Sequence, residues 1–533
     1  MNEGASPKSM SEAKDAAAVC RSEPSKQAEA RGGSSRSVRV VAFEEWRTDT
    51  EGSQSVAKEH TRKKEEPLMG NTAATPRATD VSTKQQRIAK LAEQMSGKAL
   101  TSLSHHIDGA WLLEAWRRTR KDGARGIDGQ SAEQYAENLH GNLADLLDRA
   151  KSGRYKAPPV KRVHIPKGDG KSTRPIGIPT LEDKVLQRAI VMALEPVYEA
   201  DFKSCSYGFR PGKSAHDALE SLWQQSMGTT WRERPVQWVL DVDIKSYFDT
   251  LDHTHLRQML DKRIRDGVIR RLIDKWLKAG VMEQGKLSYQ DEGTPQGGVI
   301  SPLLSNIYLH EVLDEWFESE VQPRMSGRAF LVRYADDFVI GFEHEEDARR
   351  VLAVLPKRFE RFGLKLHPEK TRLVEFKPSP DRNRKPKEDN DNNDPQPPQG
   401  PERTSRKFDF LGFTHHWGHT RKGKPIVKRS TASNRFTRAL KALRDWMRHH
   451  RHEPVKEQWR TLMSKVRGHA AYYGIPGNSR GIGGFSHQAQ NEWFKWLNRR
   501  GGQKPLSWEK YAQWLKEVFP WPAPRIHPRS RVA

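Results

Sequence analysis

Leu331-Val-Arg-Tyr-Ala-Asp-Asp-Phe-Val-Ile340 places two adjacent carboxylates between two apolar arms. Apolar runs on either side of a short polar centre predict a hairpin with an acidic tip at Ala335-Asp336-Asp337. A second run, Val236-Gln-Trp-Val-Leu-Asp-Val-Asp-Ile244, brings a third carboxylate, Asp243. Here Val236, Trp238, Leu240, Val242 and Ile244 alternate with Val239, Asp241 and Asp243. The alternation predicts a strand with one face on a core and the carboxylates sharing the other. If the two strands are neighbours, Asp243, Asp336 and Asp337 converge. Like charges so close disfavour ionisation, and hard oxygen ligands of this kind suit Mg²⁺. Two-metal phosphoryl transfer, with ions about 4 Å apart, needs such an arrangement. An Asp-Asp pair taken alone reads instead as a solvated hairpin tip.

A chain of 533 residues predicts three or four units at about 150 residues each. Hydrophobic residues at 35% and charged ones at 30% fit a soluble class. No stretch approaches the roughly 20 apolar residues of a membrane span, and no signal-peptide core opens the chain, so an intracellular protein is expected. Cys20 and Cys205 are the only cysteines, which excludes a disulfide framework and any multi-Cys zinc module. The pairs His105-His106, His415-His416 and His449-His450 are read as surface or RNA-facing, because adjacent side chains point to different sides.

Net charge is +24, and its distribution decides its meaning. Residues 1–80 hold 13 basic and 13 acidic residues, whereas 426–533 hold 22 basic and 6 acidic, together with seven of the 16 Trp. Basic surface interleaved with aromatics is the footprint of nucleic-acid binding. Trp is mostly core even in binding domains, so charge is weighted above the rings.

Residues 1–80 lack apolar periodicity and read as a disordered tail; 377–407, with Asp-Asn-Asp-Asn-Asn-Asp and a Pro-rich run, reads as a long disordered insertion. Val160–Pro166 and Arg174–Ile178 predict two strands joined by Gly168-Asp-Gly-Lys171, followed by a helix from Leu181 to Tyr198. Ser301 and Pro302 are expected at N-cap and N1 of another helix. From Ser433, expected as an N-cap, Phe436, Leu440, Leu443 and Met447 make an apolar helix face, with Arg435, Arg438, Lys441 and Arg444 on the rest.

The order of motifs raises the aspartates above a chance pair. Ile165-Pro-Lys, Arg174-Pro-Ile-Gly-Ile-Pro-Thr180, Ser206-Tyr-Gly-Phe-Arg-Pro-Gly212, Asp243-Ile-Lys-Ser-Tyr-Phe-Asp249, Thr294-Pro-Gln-Gly-Gly298, Tyr334-Ala-Asp-Asp337 and Phe410-Leu-Gly-Phe413 follow one another. From about residue 88 to the C-terminus the series resembles the reverse transcriptases, specifically the maturase-type enzymes encoded by bacterial group II introns. The resemblance implies an α+β right-hand polymerase: fingers with an N-terminal extension at 81–230, and a palm with an antiparallel sheet at 231–425. An α-helical thumb or maturase domain with a basic tail follows at 426–533.

The resemblance also implies roles. Asp243, Asp336 and Asp337 would be catalytic and hold two Mg²⁺ ions. Lys167 and Arg174 would clamp the triphosphate, Phe248 would exclude a 2′-hydroxyl, Gln296 would contact the incoming nucleotide, and Lys370 is a candidate proton donor to pyrophosphate. Asp241 matches no metal position and is read as structural. Arg435, Arg438, Lys441, Arg444 and Arg467 would bind RNA, the last within Arg467-Gly-His-Ala-Ala-Tyr-Tyr473. Trp521-Pro-Ala-Pro-Arg-Ile-His527 resembles the ending of intron proteins without an endonuclease. Implied partners are intron RNA, an RNA template with a DNA primer, dNTPs and target DNA, with no membrane, in the bacterial cytoplasm near the nucleoid. Oligomeric state stays open. Two other readings stand beside this one: a domesticated relative in phage defence or repair, and an RNA-binding splicing factor with a vestigial polymerase.

Overall fold

In the computed structural model β1 (Val160–Pro166) and β2 (Thr173–Ile178) pair antiparallel from Lys161–Ile178 to Pro166–Thr173, the hairpin that their β-forming residues predict. Along the chain follow β3 (Trp238–Val242), β4 (Val281–Glu283), β5 (Lys286–Ser288), β6 (Ala329–Tyr334), β7 (Asp337–Phe342), β8 (Arg372–Glu375), β9 (Lys407–Phe410), β10 (Phe413–His419) and β11 (Pro425–Thr431). The structure describes residues 78–166, 172–228, 234–283, 285–289, 293, 297–378, 406–500 and 505–527. The expected N-terminal tail up to residue 77, Lys167 and the turn after it, Gln296, most of the insertion and the last six residues of the basic tail lie outside the described residues; residues 78–80, expected as the end of that tail, instead open the helix Ala78–Gln94.

Three sheets form, ordered β2-β1-β4-β5, β6-β7-β3-β8 and β11-β10-β9. With helices against them they make the expected α+β architecture. β4 and β5 fall in the range expected for the palm, yet they extend the β1–β2 sheet, because β4 adds parallel to β1 at Val160–Val281. The middle sheet is antiparallel throughout, and β3 lies between β7 and β8.

Both faces of that middle sheet are buried, which departs from the one-sided strand that alternation predicts. Leu240, Val242, Phe338 and Ile340 belong to a large core shared with the helices Leu181–Glu199 and Ser301–Leu309. On the carboxylate side Val239, Val339 and Val374 enter a second core with Phe408, Phe410, Phe413 and Ile482. The carboxylates share only one end of their face. Burial of both faces suits a central strand flanked by paired neighbours.

The helix Leu181–Glu199 starts where expected, because the Thr180 side chain accepts from Asp183 N. Two expected caps are corrected. Ile300 and Ala432 occupy the N-cap positions, and Ser301 and Ser433 are already helical. Four helices close the chain, at Ser433–His449, Val455–Tyr473, Ser479–Leu497 and Trp508–Glu517. Leu443, Met447, Leu462, Val466, Trp493 and Trp496 form their core, with Trp446, Trp459 and Trp521 partly buried against it, whereas Trp508 is exposed. Among the described residues no helix is long and apolar enough to cross a membrane.

His415 is a further correction: it is not at the surface but fully buried. It lies on the middle strand of its sheet, opposite Phe408 and Arg429, and its ring stacks on Phe408 at 4.9 Å. Neither ring nitrogen has a hydrogen-bond partner, and burial, reinforced by the nearby Arg429 charge, pushes its pKa down to about 3. Below its ordinary value of 6.5 the unfolded chain takes up a proton that the folded chain refuses, so stability is lost as pH falls. The expected slope from this group is roughly 1.4 kcal/mol per pH unit. Denaturant unfolding of the wild type and His415→Leu between pH 7 and 4.5 checks this: the variant should show a shallower acid loss by about that slope.

Candidate active site

The acidic hairpin is as tight as its sequence allows. β6 and β7 pair down to Tyr334–Asp337, leaving Ala335 and Asp336 as a two-residue turn. Ala335 takes φ 57°, a left-handed conformation unfavourable for a residue with a Cβ, by roughly 1–2 kcal/mol. What holds it there is Arg333.

Arg333 stands in an apolar strand with 0% exposure. All five of its guanidinium donors are used. Nε and Nη2 donate to the Asp314 carboxylate at 2.7 and 2.5 Å. Nη1 donates to Asn306 Oδ1 at 2.9 Å and to the carbonyl of Ala335 at 3.0 Å, and Nη2 also reaches Ser206 Oγ at 2.7 Å. The loop Ser206–Gly208 presses on the same turn. Tyr207 N donates to Arg333 O, Asn306 Nδ2 donates to Gly208 O at 2.7 Å, and a Cβ at Gly208 would collide with the backbone of Ala335.

Asp243 follows the end of β3. Since Asp241 pairs with Val339 and Val242 with Phe338, the odd positions Asp241 and Asp243 share their face with Asp337. His367 N donates to Asp243 O, and Lys245 N to Lys365 O. This contact brings Lys370 Nζ to 2.6 Å from Asp243 Oδ2.

The carboxylates feel one another. Burial raises the Asp336 pKa and Asp243 adds to it, while Arg174 and Arg333 oppose. Asp337 is pushed up to about 8 by burial and then by Asp336, Asp241 and Asp243, against Arg435. Solvent reaches its side chain, but protein atoms crowd round it. Asp241 rises to about 6 through burial, tempered by Arg372, to which it is paired at 3.0 Å. Such a cluster calls for positive charge. Among the described residues no group of three or more His, Cys, Asp or Glu side chains is drawn together tightly enough to hold a metal ion by itself, but hard carboxylate donors that repel one another fit Mg²⁺ in kind.

Phe248 lies in the turn Tyr247–Asp249, entered through Ser246 at φ 48°. Its ring meets Tyr247 edge-on at 5.3 Å, and Tyr247 Oη is anchored on Ser305 O at 2.8 Å. Arg174 is exposed on β2, near enough to Asp336 to shift it. The site therefore gathers Asp243, Asp336, Asp337, Lys370 and the charge of Arg174.

Residues 165–415 match the family described as reverse transcriptase (RNA-dependent DNA polymerase). Protein YkfC of Escherichia coli (strain K12) is 39% identical over 302 residues, covering 51% of this chain and 74% of that protein. The chain belongs to the reverse transcriptase family. Group II intron-encoded protein LtrA of Lactococcus lactis subsp. cremoris is 39% identical over 188 residues, 35% of this chain and 30% of LtrA. Nuclear intron maturase 2, mitochondrial, of Arabidopsis thaliana is 26% identical over 174 residues, 26% of this chain and 24% of the relative. These relatives agree with the group II intron branch that the motifs resemble.

In this member of the family the five basic residues expected to bind RNA are exposed but differ in surroundings. Arg438, Lys441 and Arg467 face solvent. Arg444 is paired with Glu492 at 2.9 Å. Arg435 lies in the first turn of its helix, beside the Leu411-Gly412 turn, close enough for its charge to reach Asp337. Sequence reading missed Arg333, Asp314, Asn306 and Ser206. The available signal was a lone Arg among Leu331, Val332 and Tyr334, since a buried charge is rare unless paired.

Arg333→Met leaves Asp314 buried and unpaired. The expected loss is about 3–5 kcal/mol, and adding Asp314→Leu should return most of it. Chemical denaturation of the single and double variants checks this; a single-variant loss under about 1 kcal/mol would remove the pair as the support of the hairpin.

Proposed function

We propose that this chain is an RNA-directed DNA polymerase of a group II intron that also binds its intron RNA to promote splicing and mobility. The observation that carries the polymerase reading is the shared face of Asp243 and Asp337 beside the Asp336 turn, within reach of the Arg174 charge. Asp243, Asp336 and Asp337 would hold two Mg²⁺ ions, which when bound supply the charge to activate a primer 3′-hydroxyl and stabilise pyrophosphate. Arg174, with Lys167, neutralises triphosphate oxygens. Phe248 stacks under the sugar and rejects a 2′-hydroxyl, and Gln296 contacts the nucleotide. Lys370, already at Asp243, is placed to move toward the leaving group and give it a proton.

The RNA-binding half of the proposal rests on the helical C-terminal part. Exposed Arg438, Lys441 and Arg467 there meet intron RNA phosphates, and Arg435 meets backbone nearer the carboxylates. The template–primer duplex and target DNA are further partners, in a bacterial cytoplasm near the nucleoid. Residues 81–230, 231–425 and 426–533 serve as fingers, palm and thumb.

Asp336→Asn should abolish primer extension on an RNA template while RNA affinity stays within about twofold, because one metal ligand is lost and the basic surface remains. Extension by this variant at more than a trace of the wild-type rate contradicts the assignment. Phe248→Ala should raise NTP incorporation relative to dNTP in direct competition; unchanged selectivity would leave Phe248 a packing residue. Arg438→Ala with Lys441→Ala should lower the slope of log affinity against log salt by about 0.7 per phosphate contact on single-stranded RNA, measured by filter binding across a salt series.

A further inference from the structure

The helix Ser301–Leu309 begins after Gly297 and Gly298, and its N-cap, Ile300, has no side chain able to cap it. The backbone donors at this point are instead satisfied from another helix. Gln187 Oε1 accepts from Val299 N at 2.7 Å and from Ile300 N at 3.2 Å. Gln187 is 3% exposed, and its Nε2 donates to Asp183 Oδ2 at 3.3 Å, one turn earlier on the helix Leu181–Glu199. A carboxylate only accepts, so Asp183 dictates that the glutamine turns its oxygen to the turn. Asp183 is in turn fixed by Tyr155 Oη and Trp276 Nε1, each 2.6 Å from Oδ1.

The turn so held lies against another part of the site. Gly297, at φ +117°, lies against β2: a Cβ there would strike the Gly177 carbonyl and come within 2.9 Å of Ile176 Cγ2. Gly293, at φ +89°, lies against the carbonyls of Phe248 and Asp249, each 2.9 Å from the place of a Cβ. β2 carries Arg174. Gln187 therefore holds the turn in place against the strand that carries Arg174.

We propose that Gln187, oriented by Asp183, is a positioning residue for the incoming nucleotide: it fixes the turn Gly297–Ile300 against β2 and so the gap in which base, sugar and triphosphate sit. This rests on the polymerase reading. Neither Gln187 nor Asp183 touches the nucleotide. Their effect is read in nucleotide affinity, since the turn loses a side-chain acceptor for one buried and one part-buried donor.

The test is single-nucleotide extension by the full chain on an RNA template with a DNA primer, with thermal unfolding and primer–template affinity measured in parallel. Gln187→Met should raise KM for dNTP about tenfold, with kcat and primer–template affinity within about threefold. Asp183→Asn should act in the same direction. Tyr155 and Trp276 keep the carboxamide oxygen at their side, so its NH₂ faces Gln187, which must flip and present NH₂ to the turn. Asp183→Asn combined with Gln187→Glu reverses donor and acceptor between the two residues, restores an oxygen to Val299 N and Ile300 N, and should bring KM back to within about threefold of wild type.

Unchanged KM in both single variants overturns the inference, as does a lowered melting temperature or kcat with KM unmoved, which is a purely structural role. A double variant no better than Asp183→Asn also overturns it, and it serves if Gln187→Met does not fold. A wild type inactive on every primer–template overturns the polymerase reading and this inference with it, whereas an active wild type with unmoved KM overturns this inference alone.

Discussion

The site depends on a guanidinium with no access to water. Removing Arg333 and Asp314 from solvent is costly, and their attraction offsets that cost only if every donor and acceptor is met. Here they are met: Arg333 makes five hydrogen bonds to Asp314, Asn306, Ser206 and the Ala335 carbonyl. Those partners come from the helix Ser301–Leu309, the segment His310–Asp314 that continues it, the Ser206–Gly208 loop and the turn itself. A displacement of any of them strands a buried charge. This explains how Ala335 stays at φ 57° without glycine, and why Gly208 has no room for a side chain beside it.

Around that fixed turn the charges follow a simple plan. Asp241 and Asp243 at the end of β3 help to raise the pKa of Asp337 at the start of β7, and cations from separate segments answer the cluster. Lys370 bonds Asp243, Arg372 bonds Asp241, and the fields of Arg174 and Arg435 reach Asp336 and Asp337. Arg372 satisfies Asp241 within the sheet, in keeping with a structural role for that residue. Lys370, Arg174 and Arg435 are instead exposed side chains. A site that binds polyanions at an acidic centre needs both signs within reach of each other.

The C-terminal helices separate the two features that composition had merged. Trp493 and Trp496 are 1% and 8% exposed and fill the interior, Trp446, Trp459 and Trp521 pack partly buried against it, and Trp508 is 53% exposed, while most of the basic residues stay outside. Charge was therefore the better guide to exposure, although it did not distinguish Arg444, tied to Glu492, from Arg438 and Lys441, which face solvent. Periodicity shows which helix face is polar, not which polar residue has found a partner.

By itself, the sequence determined the elements and their chemistry. The β1–β2 hairpin, the helix from Leu181, the acidic turn and the order of motifs were all legible because turn residues, caps and alternation act within a few positions of one another. Tertiary structure decided what those local rules do not reach. The assignment of β4 and β5 to the β1–β2 sheet, the burial of His415, the capping of Ile300 by Gln187 and the Arg333–Asp314 pair each join residues 7 to 121 positions apart. Ser301 and Ser433 as caps failed for a related reason: backbone donors there were satisfied, or the chain turned, one residue earlier than the local pattern indicates. A buried polar group is stable only with its partner, and the partner's identity is a property of packing rather than of neighbouring sequence.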